Sequence, residues 1–433
     1  MNEQKLPKRI FALLFSASIV VAIGNTGLLS VLPAIGRQIG IPDPMVAAIF
    51  SLSALLWAVG SPFWARQSDI WGRKPMILLG LGGFTLSMTL CGLVVTAGLH
   101  HWAPVMAIFV MFLLARAIFG MIGSASNPAI QAYVAERTGR GERTQAMAGL
   151  ASAFGLGTIV GPALAPLFVL PIVTLAGPLY GFALLAFIAL LAVLKYLPND
   201  EPKPVAKREK KPFSLFARSG EAPLWRDPRL LPFLIFGFMA ALCQTVQTQT
   251  LGFMIIDKLH VSPLQAQGFT AVAMMAGAAA GLLAQWSLIR MFNMSPRDLM
   301  RWGVALACGA NLVTAFAPTY SVVVIAFAVA SLGYGFLRPG FTAGASLSVH
   351  MHEQARAAGA IGAINGLNVI FAPFFVWLYE AVHPAPFLLN AVILGGLLAY
   401  ALKNAVLREA GSKAPPEDEA TLAMLERSDE GGV

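Results

Sequence analysis

A short charged segment between two apolar runs has the residue types that pair helices electrostatically. From Ala65 to Pro75 it contains one carboxylate, Asp69, with cations on both sides, and Gly72 stands where the chain must turn. Glycine tolerates the positive φ that a tight turn can require, and an aspartate can stabilise the N-terminus of another helix. We therefore expect a turn at a membrane surface that holds charges in a fixed arrangement.

Polar side chains inside apolar segments form a second group. Arg116 and Arg338 each stand in a long apolar run, where a cation is costly unless it is paired or hydrated. A guanidinium that faces a cavity could bind an anionic group of a ligand. The alternatives are that Arg116 extends to the membrane surface and that the amides only bond neighbouring helices. The candidates for lining a ligand cavity are Asn25, Arg116, Asn127, Gln131, Gln244, Gln247, Arg338, Asn365 and Asn368.

The composition requires a membrane around these segments. Of 433 residues, 57% are hydrophobic and 12% are charged, whereas a soluble domain carries about 25% charged residues. A helix that crosses the bilayer needs about 20 predominantly apolar residues. Runs of this kind predict twelve helices, at residues 10–35, 46–66, 76–98, 103–134, 144–170, 174–196, 229–256, 264–290, 298–317, 319–348, 355–380 and 385–407.

The distribution of cations orients these helices. Of the 30 Lys and Arg residues, Arg116 and Arg338 stand deep inside predicted helices. The other 28 lie at helix ends or between helices, and 26 of them are on one side, leaving Arg37 and Lys258 on the other. We expect the protein in the inner membrane of its cell. Because cytoplasmic loops are enriched in Lys and Arg, both termini are expected in the cytoplasm. The net charge of +9 therefore reflects topology, and nucleic-acid binding is not expected.

The two halves of the chain contain matching residues at a constant spacing, as in an internal repeat. Three pairs of residues stand 211 positions apart, namely Pro128 with Pro339, Glu142 with Glu353, and Pro162 with Pro373. We predict an all-α membrane protein with twelve transmembrane helices in two six-helix bundles, related by a pseudo-two-fold axis along the membrane normal. The bundles are 1–196 and 229–407, joined by a Pro- and Lys-rich cytoplasmic linker at 197–228 and followed by a disordered tail at 408–433. Such repeats bind substrate at their interface.

The charged turn resembles the signature loop of the major facilitator superfamily, written G-x-x-x-D-R-x-G-R-K. Asp69, Gly72, Arg73 and Lys74 match this pattern, whereas alanine replaces its first glycine and isoleucine replaces the arginine after Asp69. The resemblance covers nearly the whole chain, and within the family it points to the twelve-helix branch of drug:proton antiporters. It implies a secondary transporter that works by alternating access.

The same resemblance implies a conformational latch on the cytoplasmic side. Asp69 would sit against the N-terminus of helix eleven, which should begin near Gln354. Arg73 would pair with Glu136 at the end of helix four, with Gly72 and Lys74 completing the turn. Together these contacts would close the cytoplasmic side in the outward-open state. The alternative is a solvated turn that only fixes topology.

The fifth predicted helix contains a second family-like pattern. Gly157, Gly161 and Pro162 resemble the start of the antiporter motif G-x-x-x-G-P-x-x-G-G, whose last two glycines are Ala165 and Pro166 here. Glycines four apart let helices approach closely, and a proline removes a backbone donor and bends the helix. The pattern favours export over import, although small residues at this spacing also serve plain helix packing.

One absence affects the expected proton coupling. None of the 21 acidic residues falls in the middle third of a predicted helix, and Asn25 stands where such exporters often carry a carboxylate. A buried carboxylate can exchange a proton because desolvation raises its pKa, and an asparagine cannot. The remaining titratable candidates are Asp43, Asp257 and Glu380 near one surface and Asp69, Glu136 and Glu353 near the other.

The sequence as a whole predicts a monomeric exporter of an amphipathic small molecule, with protons as the coupling ion and the lipid bilayer as its surroundings. One alternative is an importer or facilitator of a small anionic metabolite, which Arg338 and the missing carboxylate favour. Another is a membrane sensor or assembly partner that transports nothing. No nucleotide loop, metal-spaced histidine cluster or nucleophile motif is present in context, so we expect no enzyme, cofactor or metal site.

Overall fold

Long apolar segments become helices because a chain in lipid must satisfy its backbone hydrogen bonds internally. A computed structural model describes residues 6–199, 227–350 and 353–410, apart from the side chains of residues 140, 141, 144, 355, 356, 358 and 363–365. The described residues form helices and turns without any strand. Ten of their helices are long and apolar enough to cross a membrane.

The N-terminal half contains seven α-helices that make up the six predicted segments. They are α1 Lys8–Ile39, α2 Asp43–Trp71, α3 Arg73–Leu99, α4 Val105–Met121, α5 Ser126–Glu136, α6 Arg140–Leu164 and α7 Gly177–Tyr196. A 3₁₀ turn at Gly123–Ala125 joins α4 to α5, and the two form one candidate span, Val105–Glu136.

The C-terminal half is more interrupted. Its helices are α8 Leu231–Leu259, α9 Pro263–Leu283, α10 Ile289–Met291, α11 Pro296–Ala315, α12 Tyr320–Leu347, α13 Gln354–Leu367, α14 Ala372–Ala381, α15 Ala385–Lys403 and α16 Ala405–Arg408. A π-helical turn at Ala284–Leu288 joins α9 to α10, and a 3₁₀ segment at Asn368–Phe371 joins α13 to α14. Neither α11 nor the broken α13–α14 segment is among the ten candidate spans, so the count of twelve stays a prediction.

The charged turn is shorter than the sequence predicted. We expected a loop of about ten residues, but α2 continues to Trp71 and α3 begins at Arg73, which leaves Gly72 alone between them. Gly72 has φ of 93°, the positive value anticipated for this glycine. Asp69 near the end of α2 and Arg73 at the start of α3 pair across this turn, which ties the two helix ends together.

The hydrophobic cores show how the two halves meet. We call the end of the molecule with Lys8, Gly72 and Leu231 the terminal face, and the end with Gly40 and His260 the opposite face. Toward the terminal face each half has its own core, one around Tyr133 and one around Phe341. Toward the opposite face a single core takes residues from both halves. The halves are therefore sealed together at the opposite face and have separate cores at the terminal face.

Candidate functional site

A three-residue ion-pair cluster, which we call the gate, joins the two halves at the opposite face. Arg37 at the end of α1 donates to both oxygens of Asp43 at the start of α2, at 2.7 Å from Nε and 2.5 Å from Nη2. It also donates to both oxygens of Asp257 in α8, at 2.9 Å from Nη1 and 3.2 Å from Nη2. One guanidinium thus bridges a carboxylate of each half with the bidentate geometry of strong pairs.

The C-terminal half holds Asp257 in place. The Tyr379 hydroxyl of α14 donates to Asp257 Oδ2 at 2.9 Å, and His383 Nε2 lies 3.5 Å from the same oxygen. A cavity of about 250 Å³ borders this cluster and is lined by Met254, Asp257, Lys258, His260, Thr314, Ala315, Tyr379, His383 and Phe387. The Asp257 carboxylate therefore lies next to open space on the opposite face.

A second contact between the halves lies deeper in the molecule. Ser51 Oγ of α2 donates to the carbonyl oxygen of Val369 at 2.7 Å, and Val369 belongs to the 3₁₀ segment between α13 and α14. Interrupting an α-helix frees backbone carbonyls, which need partners inside a membrane. Sequence reasoning missed Ser51 and did not place Arg37 at a site. The available signal was that Arg37 is one of two cations on the cation-poor side.

At the terminal face, the charged turn makes several ion pairs and hydrogen bonds with other parts of the N-terminal half. Arg73 Nη2 donates to Asp69 Oδ1 at 2.6 Å and to Glu136 Oε1 at 2.7 Å. Lys74 Nζ donates to the carbonyl oxygen of Leu197 at 2.6 Å. The Asp69 side chain is 59% exposed. The pairing between Arg73 and Glu136 is therefore present, and Asp69 bonds within its own half in this conformation.

The C-terminal half has its own charge cluster at this face. Arg229 Nη2 donates to Asp227 Oδ2 at 2.7 Å and to Glu353 Oε2 at 3.2 Å. The hydrogen bonds from Arg229 hold the pKa of the Asp227 carboxyl below its ordinary value. Glu353 directly precedes α13, which begins at Gln354 as predicted for helix eleven. The start of this helix is thus tied to the segment that leads into α8.

The glycine motif of the fifth predicted helix packs α6 against α1. Thr26 Oγ1 donates to the carbonyl oxygen of Gly157 at 2.8 Å. A Cβ on Gly161 would lie 2.5 Å from the carbonyl oxygen of Ile23 and 2.8 Å from the amide nitrogen of Gly27, so a larger residue cannot fit without moving a helix. Pro162 lies inside α6. The motif brings two helices of one half into backbone contact.

Arg116 is enclosed within the N-terminal half. Its side chain is 1% exposed, which shows that the alternative of reaching the membrane surface is wrong. Nη2 donates to Asn25 Oδ1 at 2.8 Å, and the guanidinium carbon lies 4.6 Å from the ring centre of Phe119 and 5.1 Å from that of Phe50. Within the described part of the chain, Nε and Nη1 have no hydrogen-bond partner. Arg116 therefore does not line an open cavity in this conformation.

Replacing Asn25 by aspartate should stabilise the fold. The substituted carboxylate would occupy the position of an amide oxygen already 2.8 Å from Arg116 Nη2, so the bond would become charge-assisted and a buried cation would gain a counter-charge. We expect about 1–2 kcal/mol of added stability, seen as a raised thermal unfolding midpoint in detergent. The control is Asn127→Asp, because Asn127 is exposed. An equal shift in both variants would contradict the pairing.

The remaining polar candidates divide into a buried and an exposed group. Gln247 is 2% exposed and accepts from Asn311 inside the C-terminal half, and Asn368 is 4% exposed within the 3₁₀ segment. These two were expected to line a cavity and are enclosed, because neighbouring helices cover them. Asn365 lies in α13 with its side chain outside the described part. The exposed candidates are Asn127, Gln131, Gln244 and Arg338.

The fold and site define a multi-pass helical membrane protein whose two halves meet along a central interface. The Major Facilitator Superfamily model matches residues 14–373, and the chain belongs to this family of transporters. Among the described residues, no group of three or more His, Cys, Asp or Glu is placed to hold a metal ion.

Two similar proteins of this family come from Bacillus subtilis (strain 168). Multidrug resistance protein 1 is 23% identical over 376 residues, which cover 84% of this chain and 88% of that protein. Multidrug resistance protein 2 is 31% identical over 162 residues, and this match spans only 37% of each protein. A solved structure of a POT family transporter in complex with 5-aminolevulinic acid shares the fold, with a TM-score of 0.70 at 14% identity, covering 93% of this chain and 96% of that one.

Proposed function

We propose that this transporter exports an amphipathic small molecule in exchange for protons, by alternating access between two six-helix bundles. In this proposal α11 and the broken α13–α14 segment also cross the membrane, which completes twelve spans. The terminal face is cytoplasmic, since 26 of the 28 cations at the ends of the predicted helices or between them lie on that side. The protein would then be a monomer in the inner membrane with both termini in the cytoplasm.

The observation that carries the proposal is the unequal closure of the two faces. At the opposite face, Arg37 bridges Asp43 and Asp257, and the halves share one core. At the terminal face the cores are separate, and the described ion pairs of Arg73, with Asp69 and Glu136, lie within one half. This is the arrangement expected of an inward-open state, in which a cavity between two bundles opens to the cytoplasm. Rocking the bundles would break the gate and bring Asp69 toward the start of α13.

Two observations support export. The relatives reported above are named multidrug resistance proteins. The close packing of Gly157 and Gly161 against α1 fits a motif that resembles the antiporter motif of drug exporters. The glycines let α6 lie directly on α1, so the two helices can move as one rigid unit. A rigid half is what a rocking mechanism requires.

Asn25 replaces the carboxylate expected in helix one, so proton exchange would use other carboxylates. Asp43 and Asp257 of the gate lie at the interface of the halves and are the candidates. Uptake or facilitated diffusion of a small anionic metabolite is the second candidate function. The exposed cation Arg338 is the observation that favours it.

Transport in inverted membrane vesicles tests the proposal. The anion fluorescein and the cation rhodamine 123 are assayed in parallel. With an acidified lumen, we expect an amphipathic dye to accumulate inside and to cause proton efflux from the lumen. A protonophore should abolish both. The control vesicles contain the Gly161→Ala variant, whose helix packing is disturbed. Accumulation that persists after the proton gradient collapses would remove the antiport claim, and dye movement only down its own gradient would favour a facilitator.

Replacing Asp69 by asparagine should slow turnover and leave substrate affinity nearly unchanged. The Asp69 carboxylate pairs with Arg73 in this structure. In the outward-open state it would face the N-terminus of α13, where an anion stabilises that state by about 1–2 kcal/mol. We therefore expect the maximal transport rate to fall roughly fivefold to thirtyfold at unchanged KM. Asp298→Asn, at the corresponding terminal-face position of α11, is the control. A rise in KM before any fall in rate would show that Asp69 is not a latch.

A further inference from the structure

Arg338 points away from lipid, into the interior of the molecule. Val329 and Leu347 on the same helix are exposed apolar residues, 37% and 36% respectively, and each lies nine residues from Arg338. At 3.6 residues per turn, nine residues place two side chains on opposite sides of a helix. Val329 and Leu347 mark the lipid-facing side of α12. The exposed Arg338 side chain therefore borders open space between the helices.

The surroundings of α12 locate that space. Gly333 and Gly340 pack against α11, Gly335 packs against α9, and Phe341 packs against Gly237 of α8. Arg338 lies between the sides that face α8 and α9. At a rise of 1.5 Å per residue, its backbone is about 13 Å from the end of α12 at the terminal face. This depth places Arg338 at the level where the two halves have separate cores, toward the terminal face.

A second exposed side chain of the C-terminal half adjoins the same space. Gln244 is exposed and lies seven residues, about two helical turns, after Gly237, so both are on the side of α8 toward α12. Its backbone is about 20 Å from the terminal-face end of α8. Arg338 and Gln244 therefore present a guanidinium and an amide at successive depths of one cavity wall.

The N-terminal half has a matching but uncharged position. Asn127 precedes Pro128 as Arg338 precedes Pro339, and the two positions are 211 residues apart. Asn127 is also exposed, and its Oδ1 accepts from Gln131 Nε2 at 3.1 Å. If the halves are related by a pseudo-two-fold axis, an exposed amide pair faces the exposed guanidinium. The cavity then carries one fixed positive charge, with amide groups around it.

No carboxylate neutralises that charge within the described residues. The ion pairs of the structure lie at the two faces, and Arg338 is in none of them. Arg116, the other cation within a span, is enclosed by Phe50 and Phe119 and is closed to a ligand. An uncompensated guanidinium in a cavity within the membrane attracts anions and repels cations.

We infer that the central cavity selects amphipathic anions, whose carboxylate or sulfonate group binds Arg338 while Gln244 accepts or donates a further hydrogen bond. This inference rests on the proposed transport of a small molecule and adds the charge class of the substrate. Arg338 supplies parallel donors that match the two oxygens of a carboxylate. It is the residue that determines specificity, and Arg116 is not part of the binding surface.

A matched pair of dyes tests the inference in purified protein without any gradient. Fluorescein is anionic, rhodamine 123 is cationic, and both share a xanthene ring system. By fluorescence polarisation we expect the intact protein to bind fluorescein at least tenfold more tightly than rhodamine 123. Arg338→Gln should weaken fluorescein binding at least tenfold and leave rhodamine 123 binding equal or tighter. Arg290→Gln, which removes the same charge from an exposed site beyond the cavity, should change neither.

Several results would overturn the inference. One is that the wild type binds neither dye or prefers rhodamine 123. Another is that Arg338→Gln weakens the binding of both dyes equally. Should Arg338→Gln fail to fold, Arg338→Lys keeps the charge but loses the paired donors, and we expect a threefold to tenfold loss for fluorescein alone. Charge-selective binding without transport in vesicles would retain this inference and refute export. Proton-linked transport, together with dye binding that does not depend on Arg338, would support export and refute this inference.

Discussion

Replacing Arg37 by alanine should shift the transporter, by roughly thirtyfold, from the state closed at the opposite face toward a state open there. The substitution removes four hydrogen bonds to Asp43 and Asp257 and leaves two carboxylates facing each other across the halves. The Arg37 side chain is 32% exposed, so solvent screens part of the pairing energy, and about 2 kcal/mol remains. This pairing energy stabilises only the state in which the opposite face is closed, because rocking the bundles separates Asp257 from Arg37.

A cysteine at position 47 can report this shift. Ala47 is 2% exposed and lies one helical turn from both Asp43 and Ser51, on the side of α2 that contacts the C-terminal half. In a background without native cysteines, a membrane-impermeant maleimide should label Ala47→Cys at least tenfold faster from the opposite face once Arg37 is alanine. Lys258→Ala removes a cation from the same face and should have no effect. An unchanged labelling rate in the Arg37 variant would show that the ion pairs do not hold the face closed.

Replacing Gly161 by alanine should damage both stability and transport. The new Cβ would lie 2.5 Å from the Ile23 carbonyl oxygen, a backbone atom that cannot rotate away. Relief requires α6 to move off α1, and overpacking of this kind costs about 1–3 kcal/mol. We expect a lower unfolding midpoint in detergent and at least a tenfold loss of dye accumulation in vesicles.

Gly82→Ala is the matched control for this change. Gly82 also lies within a long helix, α3, but no heavy atom lies within 4 Å of the position that its Cβ would take. Alanine has a higher helix propensity than glycine, so the control variant should be as stable as the wild type or slightly more so. If Gly161→Ala matched this control in both measurements, the close approach of α6 to α1 would have no role in the mechanism.

Hydropathy located the helices because a membrane imposes a minimum length of apolar chain on each of them. It could not locate the breaks at Gly123–Ala125, Ala284–Leu288 and Asn368–Phe371, because a turn of 3₁₀ or π-helix depends on contacts with other helices. Ser51, which bonds the carbonyl of Val369, is one such contact. The end of α2 was also misplaced. Arg73 pairs with Asp69 and Glu136 across the turn at Gly72, so charged residues that were expected in a loop lie in helices.

The candidate site was predictable to different degrees at different residues. Arg73 and Glu136 come from the resemblance of a local motif, and their pairing needs only the ends of adjacent helices to meet. Arg37 and Asp257 are 220 residues apart, and no local pattern links them. Arg116 and Arg338 look alike in sequence, since both are cations in apolar runs. Only the packing of Phe50 and Phe119 around Arg116 shows that it is enclosed.

Paired spin-label distances across both faces test alternating access most directly. One pair, Ile70 and Asn293, would span the terminal face, and the other, Gln38 and His260, would span the opposite face beside the gate, where Arg37 bonds Asp257; all four residues are exposed. In the wild type the account predicts a separated terminal pair and a close opposite pair. In Arg37→Ala a second population should appear in which the terminal pair is closer and the opposite pair wider. Distances that stay unchanged at both faces, or that widen at both together, would contradict a two-bundle transporter gated by Arg37.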